Sequence, residues 1–338
     1  MYLISIICPT YNCEKYIERT IKSLINQNIG FENLELILVD DCSTDSTRDI
    51  IKRYSDKFEN INHYFLKDNH GFPGHGRNLG IKNSKSKYIM FIDNDDEYEP
   101  TYCEIMYNTI DLNNIDVVST NFKIIRKDYV ENNTVFENII NNETINIISK
   151  NDASCIVSLD KFYYLRDTEV WNKIFKKEII EKNDVKFIEN ALNEDTLFLY
   201  NYYEYADKLM YIDYYGYKWY RDGENLSYHS TNATLKFIYS FYDILEFTKK
   251  SNQKIDLNRL FSFHIEESLI NCLFIPTNDI KFVLEKLYEF EKLIDFSGEL
   301  NYFWNKVINK FVIKHQLKIA KTLLIIIREG RNFYKKIF

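Results

Sequence analysis

Over its first 120 residues the chain alternates between short apolar, β-branched runs and stretches whose apolar positions recur every three to four residues. The short runs predict strands over Leu3–Cys8, Leu34–Val39, Ile61–Leu66, Tyr88–Ile92 and Asp116–Thr120, because near-continuous apolar positions suit strands covered on both faces. After the first of them, Ile17, Ile21, Leu24 and Ile25 fall on one helical face. After the second, Ser43-Thr44-Asp45 supplies N-cap side chains for a helix that buries Ile50, Ile51 and Tyr54. Strands that alternate with helices imply a mainly parallel sheet flanked by helices.

The pattern then changes. Residues 121–150 are polar and rich in asparagine, and predict an irregular or hairpin insertion. Helical spacing returns over Glu169–Glu181 and Asn193–Ala206, a Tyr-rich strand is expected over Leu209–Tyr220, and the chain beyond about residue 232 reads as helix. Domain-sized lengths then divide the chain into an α/β domain over 1–230 and a helical region over 231–338, expected to make acceptor, membrane or oligomer contacts.

Charge separates the tail from the rest. The net charge of −7 combines a net +8 over residues 301–338, where nine Lys/Arg face one Glu, with a net −15 over residues 1–300. An acidic body argues against a general nucleic-acid binder, which needs basic surface to release counterions. In the tail, Trp304, Val307, Ile308, Phe311 and Val312 share a stripe while Lys306, Lys310, Lys314, Lys318 and Lys321 recur beside it. Such a basic amphipathic helix suits core packing, a second copy of the chain, or peripheral contact with an anionic membrane. The longest apolar run near the tail, Leu323–Ile327, is far short of the roughly 20 residues that a spanning helix needs. Six cysteines without a C-x-x-C pair read as buried reduced thiols, and the first residues lack a basic, long-apolar secretory pattern. The expected location is cytoplasmic, including the inner face of the membrane.

Ligands of open α/β sheets collect at the carboxyl ends of strands. Four segments there carry chemistry: Pro9-Thr10-Tyr11-Asn12, Asp40-Asp41-Cys42-Ser43, the Asn69–Asn78 stretch, and Asp93-Asn94-Asp95-Asp96. Three aspartates within four residues repel one another by about 1 kcal/mol or more per close pair unless a cation intervenes. A hard divalent ion, Mg2+ or Mn2+, matches carboxylate oxygens; an acidic turn capping the next helix is the simpler alternative. Four of the nine glycines fall between 71 and 80, next to Arg77. They read either as a backbone-exposed loop approaching a diphosphate or as a turn needing positive φ. Tyr11 offers a ring for stacking, and Asp41 an acceptor for an imide N–H or a ribose hydroxyl. Glu194 and Asp195 open a helix, as a general base or merely as acids favoured at a helix N-terminus. Gly74-x-Gly76-x-x-x-Gly80 is misplaced for a dinucleotide fingerprint, which follows the first strand, so a nicotinamide-dependent oxidoreductase is the weaker alternative.

Taken in order, Ser5–Asn12, Leu38–Asp45, Asn69–Gly80, Phe91–Asp96, Trp171–Phe175 and Glu194-Asp195 resemble the motifs of family 2 glycosyltransferases of the GT-A fold, over about residues 3–230. The fit is to bacterial enzymes that build teichoic acids or other surface polysaccharides. The resemblance implies inverting transfer from a UDP-sugar to a hydroxyl of a glycan or polyol-phosphate acceptor, with Mn2+ or Mg2+. It implies that Pro9, Tyr11 and Asp41 hold uridine and that Asp93 and Asp95 bind metal and diphosphate, extended by Asp96. Asn69 and Arg77 would contact donor phosphates or sugar, and Asp195 would be the base with Glu194 as fallback. Trp171–Phe175 would belong to a later helix. Arg221 and His229 match the family's late loop only loosely. A non-catalytic glycan-binding relative is the remaining alternative.

Overall fold

The computed structural model describes residues 2–141, 145–160, 165, 167–189, 194–221, 231–298, 300 and 303–337; residues 232, 233, 263, 267, 303, 304 and 329–337 are described as helix backbone alone. The chain forms two compact units, Met1–Asn190 with Glu194–Glu224, and Ala191–Asn193 with Asn225–Phe338.

The first unit begins with the expected alternation: β1 (Ile4–Thr10), α1 (Ile17–Ile25), β2 (Leu34–Asp40), α2 (Thr47–Ser55), β3 (Ile61–Phe65), α3 (Pro73–Asn83) and β4 (Tyr88–Phe91). Both β1 and β2 are buried at every position, which is why their sequences are continuously apolar. Then come β5 (Glu97–Tyr98), α4 (Tyr102–Leu112), β6 (Val117–Ile125), β7 (Val130–Asn133), α5 (Val135–Ile140), β8 (Ile147–Lys150), β9 (Ser154–Ser158), β10 (Lys173–Lys176), α6 (Lys177–Lys182), α7 (Glu194–Tyr203) and β11 (Lys208–Tyr220).

One sheet runs in the order β3-β2-β1-β4-β10-β6-β11-β9-β8. Its first four strands are parallel, and β10 is inserted antiparallel between β4 and β6. The register sets Ile7 beside both Ile37 and Phe91, and Thr10 beside Asp40. The segments after β1, β2 and β4 therefore leave the sheet at one edge.

One expectation changes here. The helix anticipated over Glu169–Glu181 is a strand followed by a short helix. Ile174 and Phe175 have no exposed surface, between neighbours on both sides, and a short apolar run suits a central strand as well as a helix. The Asn-rich insertion takes the hairpin alternative, with β6 and β7 paired antiparallel and followed by α5.

The second unit contains α8 (Thr231–Lys250), α9 (Leu257–Asn271), α10 (Ile280–Leu293), α11 (Phe303–Ile313) and α12 (Leu317–Ile337). Its core includes Phe241, Phe261 and Phe290, with ring centroids 4.9–5.8 Å apart. The basic tail is two helices rather than one, since the chain breaks between Ile313 and Leu317, where His315 has φ +54°. Lys306, Lys310, Lys314 and Lys318 are exposed, as are Ile313, Ile319 and Ile326. Among the described residues no helix is long and apolar enough to cross a membrane. All six cysteines are free thiols, five of them buried.

Candidate active site

At the shared sheet edge, the loops after β1 and β2 are bound to each other. Asn12, with φ +44°, donates its N–H to Ser43 Oγ at 2.8 Å, and its side-chain oxygen accepts the Thr44 N–H at 2.8 Å. Pro9 is buried, and its carbonyl accepts from Asn94 Nδ2 at 3.0 Å, so β1 is tied to the acidic turn after β4. Tyr11 projects from this edge with 41% of its surface exposed.

The two adjacent aspartates at the end of β2 have different tasks. Asp40 is fully buried and accepts the Ser43 N–H at 3.0 Å and Arg48 Nε at 2.5 Å. Asp41 accepts the backbone N–H groups of His70 and Gly71 and faces His70 Nδ1, all at 2.9 Å. Asn69 donates to the Asp41 carbonyl at 2.9 Å. Asp41 and Asn69 thus pin the entrance of α3 to the end of β2. There His70 and His75 stack with centroids 3.9 Å apart, and His75 Nδ1 lies 3.1 Å from Glu189.

The glycine-rich segment is mostly helix, which corrects the expectation of a backbone-exposed loop. Only Gly71, at φ +78°, needs glycine's conformational freedom. The others permit close packing. A Cβ at Gly80 would lie 2.4 Å from Ile7 Cγ2, and one at Gly74 2.1 Å from the Ile188 carbonyl oxygen. The glycines lower α3 onto β1, and this carries Arg77 into the interior, where it is 2% exposed.

Arg77 does not reach outward, as an expected phosphate contact would. Its NH2 donates to Asp93 Oδ1 at 3.0 Å, and its NH1 to Glu194 Oε1 at 2.8 Å and to Asp195 Oδ1. Its guanidinium carbon lies 5.3 Å from the centre of the Phe187 ring. The acid after β4 and the pair opening α7 are therefore brought together by one side chain. Burial pushes Glu194 up to about 8 and Asp195 up to about 6, with Arg77 opposing both shifts. The Val170 N–H donates to Asp195 and the Lys173 charge also favours its ionised form. Lys173 is itself buried, 2.7 Å from Asp167 Oδ2.

Within the acidic turn the three aspartates divide. Asp93 and Asp95 are half-buried at the sheet edge. Asp96 is fully buried and turned away from it, accepting the Tyr217 hydroxyl at 2.6 Å and the Tyr220 N–H at 2.8 Å. Desolvation raises its pKa well above the ordinary carboxylate range. The expected third metal-binding aspartate is instead an anchor between the turn and β11. Among the described residues no three His, Cys, Asp or Glu side chains form a metal cage. Asp93 and Asp95 fit an ion such as Mg2+ or Mn2+, which binds through one or two carboxylates and takes its remaining oxygens from phosphate and water.

No spacing singled out Tyr217, Phe187 or the Val170 N–H, since each meets the site from a distant stretch of chain. Arg221 is half-buried with its guanidinium 4.7 Å from the Trp219 ring centre, and His229 lies outside the described residues.

Residues 5–169 match the glycosyl transferase family 2 model. The poly(ribitol-phosphate) β-glucosyltransferase of Bacillus spizizenii is 33% identical over 66% of this chain and 33% of its own length. The poly(ribitol-phosphate) β-N-acetylglucosaminyltransferase TarS of Staphylococcus aureus is 30% identical over 67% of this chain and 37% of its own. The aligned part is thus about a third of each of these relatives. The crystal structure of TarS 1–349 in complex with UDP-GlcNAc matches 97% of this chain and 92% of that chain, with TM-score 0.67 and 23% identity, which establishes the common fold. The mannosyltransferase PcManGT of Pyrobaculum calidifontis, in complex with GDP-Man and Mn2+, is more distant, with TM-score 0.53 and 14% identity. Through residues 5–169, the chain belongs to glycosyl transferase family 2.

Proposed function

We propose that the protein is an inverting, metal-dependent glycosyltransferase that moves glucose or an N-acetylhexosamine from a UDP-sugar to a hydroxyl of a polyol-phosphate or related cell-surface acceptor. The observation that carries this reading is the convergence of Asp93 with Glu194 and Asp195 around Arg77, at the sheet edge where β1 ends before the exposed Tyr11. The names of the relatives supply the donor and acceptor classes.

In this reading the Tyr11 ring stacks on uracil, and the edge formed by Pro9 and Asp41 completes the base site. Asp93 and Asp95 would hold Mg2+ or Mn2+, whose chemistry is to neutralise charge that grows on the departing diphosphate. Asp195 takes the proton of the acceptor hydroxyl, and one base acting opposite the leaving group gives inversion. Glu194 shares Arg77 with Asp195 and remains the fallback base. Asp96 supports the turn through Tyr217. The exposed lysines and isoleucines of α11 and α12 are proposed to rest on an anionic membrane at the cytoplasmic face.

The deciding experiment is UDP release from UDP-glucose and UDP-GlcNAc, with and without poly(ribitol phosphate), in Mg2+, Mn2+ or EDTA. Release that depends on metal and is stimulated by the polymer is expected. No metal-dependent release from any UDP-sugar in a broad panel would overturn the reading.

A further inference from the structure

We propose that Arg77 is a positioning residue that brackets the donor-side Asp93 and the base Asp195 with one guanidinium, instead of contacting the donor diphosphate; this rests on the functional reading above.

Three observations carry it. Both terminal nitrogens are already committed, NH2 to Asp93 and NH1 to Glu194 and Asp195. The side chain is nearly inaccessible, with one face near Phe187. Its helix is seated on β1 by contacts that leave no room for a Cβ at Gly80, so Arg77 has little freedom to swing outward. A planar, always-charged fork can serve carboxylates on separate segments at once, which an ammonium at the end of a flexible stem does poorly.

The arrangement determines what Arg77 does to the base. The groups around Asp195 are Arg77, Glu194, Asp93, Lys173, Glu169 and the Val170 N–H. Burial, Asp93, Glu194 and Glu169 favour the protonated acid, whereas Arg77, Lys173 and the Val170 N–H favour the carboxylate. Arg77 is the cation in hydrogen-bond contact with it. Its contact with Asp93 also ties the orientation of the base to the side of the site that receives the donor. Arg77 thereby offsets part of the effect of burial on Asp195 and aims the carboxylate before an acceptor arrives.

The test compares wild type, Arg77→Lys and Glu194→Gln. UDP affinity in Mg2+ is measured by calorimetry, UDP release from UDP-glucose and UDP-GlcNAc is followed as a function of pH, and each variant is checked for folding by thermal melting. For Arg77→Lys, UDP affinity within about threefold of wild type is expected, with release at neutral pH slowed by about thirtyfold or more and its acidic limb moved to higher pH. For Glu194→Gln, which replaces an acid that is itself protonated where Asp195 titrates and leaves the guanidinium in place, the acidic limb stays at or below its wild-type pH.

A phosphate contact gives a different result: Arg77→Lys weakens UDP by about tenfold or more while the limb stays where it was, and that overturns the proposal. Unchanged release by a folded Arg77→Lys also overturns it. If Arg77→Lys does not fold, Glu194→Gln decides, because a limb that rises contradicts the bracket. A wild-type protein that binds no UDP fails at the functional reading itself, and the role of Arg77 falls with it.

Discussion

Arg77 and Asp195 stand 118 positions apart and share a hydrogen bond through the guanidinium NH1. Asp195 is only one-fifth exposed, so the acid that opens α7 meets its partner in a partly dry setting where charge matters more than at the surface. Asp195→Asn keeps the shape and removes the acceptor of a proton. Transfer should fall by about 10²–10⁴-fold while UDP affinity changes by less than about threefold. Calorimetry with UDP and assays of UDP release check this, and a fully active variant would remove Asp195 from the role.

The same pair of acids makes stability depend on pH. Asp195 is raised to about 6 and Glu194 to about 8, above the values of roughly 4 that they have in an unfolded chain. Between those limits the native protein binds more protons than the unfolded one, so the stability that the neutral acids contribute is present below about pH 4 and is lost as pH rises through 6 and 8. Glu194→Gln should flatten the fall in melting temperature between pH 6 and 8. An identical slope in the variant would show that Glu194 does not titrate there. For catalysis the sign is opposite: release should decline on the acidic side as Asp195 takes up its proton.

Close packing of α3 predicts the effect of filling its glycines. Gly80→Ala would press a methyl against Ile7 in the fully buried β1, at a cost of about 1–3 kcal/mol. Gly74→Ala should be worse, because the obstacle 2.1 Å away is the Ile188 backbone carbonyl rather than a side chain. Thermal unfolding checks the order, and a Gly80→Ala protein as stable as wild type would mean that α3 can lift from the sheet.

Reversing charge on the last two helices tests the membrane contact. Lys310, Lys314 and Lys318 are exposed, and each lysine near an anionic surface is worth about 1 kcal/mol. Changing all three to Glu should weaken sedimentation with phosphatidylglycerol-containing vesicles by about 100-fold or more and leave UDP affinity alone. Equal binding by the variant would leave these helices without a role at the bilayer.

Much of the α/β unit was legible from local pattern. A strand buried on both faces must be apolar throughout, so β1, β2 and β4 could be read within two residues at each end, and with them the edge where Tyr11, Asp41 and Asp93 emerge. The later elements were harder. Lys173–Lys176 has too few residues for periodicity to separate helix from strand, and its place between β4 and β6 is a matter of distant partners.

For the site, residue type and order were enough to nominate Asp93, Asp95, Glu194, Asp195 and Arg77, because clustered acids and an always-charged fork beside a glycine-rich stretch are costly to keep without a reason. Sequence could not assign their partners. A guanidinium suits phosphate and carboxylate equally well, and only the glycine-lowered helix, which turns Arg77 inward among three acids, decided for carboxylate. Likewise three adjacent aspartates look alike in one dimension, whereas in three Asp96 faces the Tyr217 hydroxyl and Asp93 faces Arg77. Chemistry along the chain is a property of residues; which group each one serves depends on distances that only folding creates.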